Sequence, residues 1–375
     1  MTESERDVTT NNATSRLQQT YDLIDSFIER GELDGAAVAV AWRGEPIGEH
    51  HAGNARPGVA ATSTTVWPLA SISKVYTAAA VVALVERGVL TLSMPVRMIL
   101  PEVTGDGRET ITLRHLLTHT SGLIYESPEM EQRLLTQTPL DELVDEALTY
   151  SLQFSPGSQH AYSDYNYAIA GRAAAVAAGR PFPELVRELV LDPAGLRDTW
   201  FPPSDEIFGR LAKVAGPLGE GTPGDMYNGD YGLGMAHPAF GVSATVSDLL
   251  RFGLLFAPGG KTRVLSEAGV RVMTTDQTGG NTPGSLLPDL PAQHTPWGAG
   301  FSVKGNTGMS GDLLSTASFG HGGATGCTLQ IDPVDDIVIA YVSNKHARTG
   351  RPPFTRRQVS VVNTVMAALT RSPLR

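Results

Sequence analysis

Strand-like segments stand at both ends of this chain and helical ones lie between them. That distribution predicts an α/β (α+β) fold: an antiparallel sheet built from both chain ends and flanked by helices, with a mainly helical subdomain inserted between. Three features carry the reading. An apolar run, a Gly-containing turn and a second extended run form a hairpin near the N-terminus, and a matching strand pair lies near the C-terminus. Between them, the segment from Val75 to Arg87 (VYTAAAVVALVER) is apolar on nearly every side, the mark of a buried helix.

In chain order, residues 1–16 are polar and read as a disordered leader. Leu17, Tyr21, Ile24, Phe27 and Ile28 recur at helical spacing, with Gly31 as the stop. Ala36 to Trp42 and Pro46 to Ala52 are strands joined by a turn at Arg43-Gly44-Glu45. Gly88 ends the buried helix. The stretch from about 111 to 195 is mostly helical, most clearly at Asp141 to Tyr150 and Asn166 to Ala178, and residues 200–240 are loop-like and rich in Gly and Pro. Ser247 to Leu255 is a helix with Ser247 as its expected N-cap. Gly326 to Asp332 and Ile337 to Ser343 are strands joined through Pro333-Val334-Asp335-Asp336, and Gln358 to Leu369 is the last helix. The expected division is a discontinuous α/β domain, 17–66 with 235–375, and a mainly helical domain, 67–234, with the functional site between them.

Composition narrows the function classes. A chain of 375 residues buries a sizeable core without staples. Charged residues are 18%, below the usual ~25%, which argues against disorder. A net charge of −10 speaks against nucleic acid and anionic lipid as partners, since both demand a basic surface. The single cysteine, Cys327, rules out an internal disulfide and a zinc site built on several thiolates. The first 16 residues carry no basic and apolar signal pattern, and the longest apolar run, Ala78 to Val85, is far short of a membrane span. The expectation is a soluble, cytoplasmic protein with no membrane association.

Several motif-like patterns fail on inspection. Gly260-Lys261-Thr262 resembles the end of a P-loop, but the Gly required five residues earlier is Leu255. Gly320 to Gly326 is Gly-rich, yet Thr325 breaks the dinucleotide pattern. His115 and His119 share a helical spacing without the intervening Glu of a zinc hydrolase, and read as histidines donating hydrogen bonds to nearby backbone. The acidic pair Asp335-Asp336 lies in a turn and reads as solvated. No metal or cofactor is implied.

Chemistry concentrates in three stretches. Ser71-Ile72-Ser73-Lys74 is the chain's single Ser-x-x-Lys, and it opens the buried helix. Residues i and i+3 share a helical face, so the Ser71 hydroxyl and the Lys74 amine are within reach of one another. Burial disfavours the ammonium and makes Lys74 a usable base, while the helix N-terminus favours negative charge on the Ser71 oxygen. A weak nucleophile thereby acquires an adjacent base, as covalent catalysis requires. Tyr162-Ser163-Asp164 lies in a loop before the Asn166 helix; a phenol beside an ammonium is expected to be partly deprotonated and to relay protons. His321-Gly322-Gly323-Ala324 opens the C-terminal strand pair, where the glycines allow close approach of a substrate and the N–H of Ala324 pairs with that of Ser71 as an oxyanion hole. Each stretch alone also fits a structural role: a capping serine, an aromatic loop, a Gly-rich turn.

Together and in this order, the three resemble the serine β-lactamase and penicillin-binding-protein superfamily, particularly its class C-like branch of family VIII carboxylesterases, D-amino-acid amidases and peptidases, and related acyltransferases. The resemblance covers about residues 18–370 and extends to Leu116 to Leu123 (LLTHTSGL), Gly241 to Phe252 (GVSATVSDLLRF) and Trp297 to Phe301 (WGAGF). It implies a β-lactamase/transpeptidase-like fold and an acyl-enzyme mechanism. Ser71 is then the nucleophile, Lys74 and Tyr162 carry protons, Ser71 and Ala324 hold the oxyanion, and Asp164, His321, Gly322 and Gly323 bind substrate. Two departures bear on substrate. Asp164 stands where the family usually has Asn, and a carboxylate cannot donate to a substrate carbonyl and raises the Lys74 pKa. His321 replaces a Lys that commonly greets a substrate carboxylate, which favours neutral esters over β-lactams. The expected function is therefore a carboxylesterase on small esters. Amide or D-amino-acid peptide hydrolysis, β-lactam hydrolysis and acyl transfer stay open on the same site, and a catalytically silent binding module is the alternative of another class.

Overall fold

The computed structural model of the protein describes residues 15–279, 283–285, 293–294, 296–305, 311–346 and 356–370. The leader expected at 1–16 lies outside these but for residues 15 and 16, which are helical.

The core is a seven-stranded antiparallel sheet. Its strands are β1 (Gly35–Trp42), β2 (Glu45–Arg56), β3 (Val59–Ala60), β4 (Ser302–Val303), β5 (Phe319–Gly322), β6 (Thr328–Asp332) and β7 (Ile337–Ser343), in the order β4-β5-β6-β7-β1-β2-β3. The two chain ends meet at its centre, where β1 pairs with β7 in the register Ala36↔Ser343 to Trp42↔Ile337. The first hairpin turns at Arg43 and Gly44, both with positive φ (53° and 78°), the two-residue geometry that matches the twist of antiparallel strands.

Strand β1 is apolar without alternation because both its faces are covered. Ala36, Val38 and Val40 pack with Ile339 and Tyr341 under the terminal helices α1 (Gln18–Glu29) and α2 (Arg356–Thr370). Ala37, Ala39 and Ala41, with Val338, Ala340 and Val342, face the larger helical core. The small side chains on that second face let a helix lie close, and Val246–Leu254 packs there. The helical body is centred on Ser73–Glu86, buried from Ser73 through Leu84, against which Asp164–Ala178 packs.

Some elements depart from expectation. The helix predicted to start at Ser247 is capped instead by Thr245, whose side chain accepts from the Asp248 N–H, while Ser247 donates to Glu49 at 2.6 Å. The segment expected to open the C-terminal strand pair begins as a strand of its own, Phe319–Gly322, because Gly320 lets β5 lie on β6: a Cβ there would sit 2.3 Å from the Leu329 oxygen. Asp336 is not simply solvated, since its carboxylate accepts from the Gly259 N–H at 3.1 Å. Among the described residues no helix is long and apolar enough to cross a membrane.

Candidate active site

Ser71 lies in a single 3-10 turn, Ala70–Ile72, immediately before the buried helix, rather than in the helix itself. Ala70 has φ 47°, a left-handed conformation that a residue with a Cβ adopts at a cost, and this strain sits one residue before the serine. The turn is pinned from several directions. Trp67–Pro68 pairs with Ser243–Ala244, and Leu69 N–H donates to Val242 O at 2.9 Å. Ser73 Oγ donates to Ala70 O at 2.6 Å and accepts from the Val242 N–H at 2.9 Å.

Lys74 is fully buried on the same face. Its Nζ lies 3.3 Å from Ser71 Oγ, 3.2 Å from Ala239 O and 2.6 Å from Asp164 Oδ1. It also sits 4.7 Å from the centre of the Tyr162 ring. Burial holds its pKa below the ordinary lysine value, and the charge and hydrogen bond of Asp164 oppose that shift without cancelling it. The expected conflict between carboxylate and free base is thus present, and desolvation wins. Replacing Asp164 by Asn removes the opposing influence, so the Lys74 pKa falls further and its basic form persists at lower pH. The variant is expected to be active, with the acidic limb of its pH–rate profile displaced downward. An unmoved or raised limb would separate Asp164 from the base.

Tyr162 is buried, with its phenol close enough to Ser71 for the serine to act on its pKa. Its phenol is pushed well above the usual value, first by burial and then by the negative charge of Asp164, with Ser71 pulling the other way. The expectation of a partly deprotonated phenol is overturned, because burial and the adjacent Asp164 charge both disfavour a phenolate. The hydroxyl is a proton donor in the resting site.

The third stretch meets Ser71 through a close backbone approach. A Cβ on Gly323 would lie 2.3 Å from Leu69 O and 3.5 Å from the Ala70 side chain. Thr325 Oγ1 donates to Pro68 O at 2.8 Å, latching the same segment. Ala324 is thereby brought alongside the Ser71 turn, and neither its N–H nor that of Ser71 has a partner among the described residues. Gly322 is exposed, with no atom within 3.9 Å of its absent Cβ, so of the two glycines it is Gly323 that the packing demands. His321 is 5% exposed and faces Tyr162 and Trp297. Its Nδ1 donates to Gly322 O at 2.7 Å, and burial and the Lys74 charge hold its pKa at about 3, so it is neutral rather than partly charged at pH 7.

Other residues at the site carried no sequence signal of their own. His237 stacks on Phe240 at 4.0 Å and accepts from the Ala239 N–H at 3.1 Å, orienting the carbonyl that receives Lys74. Tyr125 stands 6.0 Å from the Tyr162 ring, and its phenol is raised chiefly by the Asp164 charge. His115 and His119 do not share a ligand. The Nδ1 of each accepts, His115 from Thr112 N–H at 3.3 Å and His119 from Ser163 N–H at 3.0 Å, where donation to the backbone was expected. Among the described residues no group of three or more His, Cys, Asp or Glu could hold a metal ion.

Comparison with known proteins places the chain in a family. The Beta-lactamase family profile matches residues 21–363. The chain is 29% identical over 337 residues to Penicillin-binding protein 4 of Amycolatopsis lactamdurans, covering 85% of this chain and 83% of that one. It is 34% identical over 218 residues to esterase EstB of Burkholderia gladioli, covering 54% of each. Its fold matches a penicillin-binding protein homolog from Caulobacter crescentus with a TM-score of 0.78 at 23% identity, over 94% of this chain and 98% of the other. With a strained serine turn, a buried lysine and a tyrosine meeting on a sheet assembled from both chain ends, the chain belongs to the Beta-lactamase family and is a hydrolytic enzyme of the serine β-lactamase and penicillin-binding-protein superfamily.

Proposed function

We propose that the protein is a carboxylesterase acting on small, neutral esters through a covalent acyl-enzyme on Ser71. The observation that carries this reading is the contact of the fully buried Lys74 Nζ with Ser71 Oγ, 3.3 Å, at a serine that keeps partial exposure. Ser71 Oγ attacks the ester carbonyl as its proton passes to Lys74 Nζ, which acts from the deprotonated form that burial makes more accessible. The oxyanion is received by the N–H groups of Ser71 and Ala324. The C–O bond to the alcohol breaks as the Tyr162 hydroxyl protonates the leaving oxygen, and Lys74 restores that proton. Water then attacks the acyl carbonyl with the proton path reversed, releasing the acid and the free serine.

Neutral substrates are favoured because the charge of Lys74 is paired with Asp164 and His321 is uncharged, so neither answers a substrate carboxylate. The same reading takes 17–66 with 235–375 as one unit and 67–234 as the other. Ser71, Lys74, Tyr162 and Asp164 come from the second unit, and His321, Gly322, Gly323 and Ala324 from the first.

Mass spectrometry after treatment with a fluorophosphonate tests the nucleophile: one adduct on Ser71 is expected, and none in Ser71→Ala. Label on another residue, or full esterase activity in Ser71→Ala, rejects the scheme. Turnover of p-nitrophenyl butyrate should exceed that of a D-amino-acid amide and of nitrocefin, and the opposite ranking would move the assignment to amide or β-lactam hydrolysis. Ester consumption that accelerates with added alcohol and yields a new ester would mark acyl transfer. Absence of any covalent adduct would favour a silent binding module.

A further inference from the structure

Tyr162 lies in a loop, and a loop residue aims a hydroxyl accurately only if something rigid holds it. What holds it is His119, on the segment that follows the short helix Leu113–Leu117. His119 carries φ 57°, is fully buried, and is neither glycine nor asparagine, so its backbone is strained where the surroundings insist on it. Its carbonyl accepts from the Ala161 N–H at 2.8 Å, and its Nδ1 accepts from the Ser163 N–H at 3.0 Å. The residues on either side of Tyr162 are therefore tied to one histidine. The imidazole itself lies 4.3 Å from the Tyr162 ring at 30°, backing the phenol directly.

A second ring of contacts fixes the clamp. Asn166 Nδ2 stands 3.2 Å from the same His119 Nδ1, and Asn166 Oδ1 accepts from Ser121 Oγ at 2.6 Å. Ser121 Oγ in turn accepts from the Leu123 N–H at 3.1 Å. With the Ser163 N–H pointing at it, Nδ1 must present a lone pair, which sets the tautomer with the proton on Nε2. Burial above all holds the ring's pKa well below the ordinary histidine value, with the Lys74 charge acting in the same direction, so the acceptor lone pair is retained.

We propose that His119 is the positioning residue for Tyr162, clamping the chain on both sides of the phenol and backing its ring so that the hydroxyl is held on Ser71. The proposal rests on the reading of Tyr162 as a proton carrier. His119 touches no reacting atom; it acts through the tyrosine alone.

That indirect action makes a double-mutant cycle decisive. With p-nitrophenyl butyrate as substrate, His119→Ala is expected to lower kcat about 30- to 100-fold with KM within about threefold, since alignment and not ground-state binding is lost. In a Tyr162→Phe background, which has no hydroxyl to aim, the same substitution should cost no more than about twofold. His119→Asn supplies an oxygen acceptor and tolerates the left-handed backbone, so it should fold even where His119→Ala does not, lose about tenfold in kcat, and show the same disappearance of its effect beside Tyr162→Phe. Equal losses in the two backgrounds, or wild-type kcat in both His119 variants, would overturn the clamp while leaving Tyr162 its role. Wild-type kcat in Tyr162→Phe alone would instead remove the reading of Tyr162, and the clamp with it.

Discussion

Lys74→Met is expected to lower kcat toward an activated ester by about 10³- to 10⁴-fold, because the substitution keeps the length and burial of the side chain but deletes the base beside Ser71. Stability complicates the measurement, and the structure says how to separate it. Met leaves Asp164, 10% exposed, with no cation at the 2.6 Å contact it now makes, and breaking a buried pair by removing one partner costs about 3–5 kcal/mol. The double variant Lys74→Met with Asp164→Asn removes the stranded charge. Chemical denaturation should show the double variant recovering most of that loss, while its kcat stays as low as in the single variant. A double variant that regains activity along with stability would mean that Lys74 serves the fold and that another group takes the serine proton. A single variant within tenfold of wild type would lead to the same conclusion.

Gly323→Ala is the second large effect, and it arises from backbone contact. The new methyl would stand 2.3 Å from Leu69 O. A carbonyl oxygen cannot rotate aside as a side chain would, so the segment carrying Ala324 must withdraw from the Ser71 turn. Loss of one oxyanion donor typically costs about 10²–10³ in kcat, and that is the expected loss here. Overpacking should add about 1–3 kcal/mol of destabilisation, visible as a lower denaturation midpoint. Gly322→Ala, whose added carbon meets nothing closer than 3.9 Å, is the control for stability and should stay within about 0.5 kcal/mol of wild type. If Gly323→Ala keeps wild-type kcat, the N–H of Ala324 is not part of the oxyanion site.

Much of the architecture was readable before any coordinates because the signals are local. The run Ala36 to Trp42 and its partner Ile337 to Ser343 are apolar but for the final Ser343, as strands covered on both faces tend to be, and the structure pairs them at the centre of the sheet. The helix from Ser73 was readable in the same way, as was the Ser-x-x-Lys at its start. Boundaries were less accessible: Thr245 rather than Ser247 caps its helix, since both residues can cap and only the direction of the incoming chain chooses between them. Strand β5 was hidden because Phe319–Gly322 has no alternation, and its strand character comes from lying on β6.

Taken alone, then, the amino-acid sequence determined which elements form and which serine, lysine and tyrosine are available for chemistry, because periodicity and residue type are properties of neighbours along the chain. The protonation states had to wait for the tertiary structure. Whether Lys74 is a base depends on a contest between its complete burial and the Asp164 carboxylate, and Tyr162 keeps its proton because it is buried beside that same negative charge. The aim of the phenol likewise depends on His119, 43 positions earlier in the sequence. Desolvation and orientation are set by what packs around a group in space, and here those neighbours come from parts of the chain that no local pattern connects.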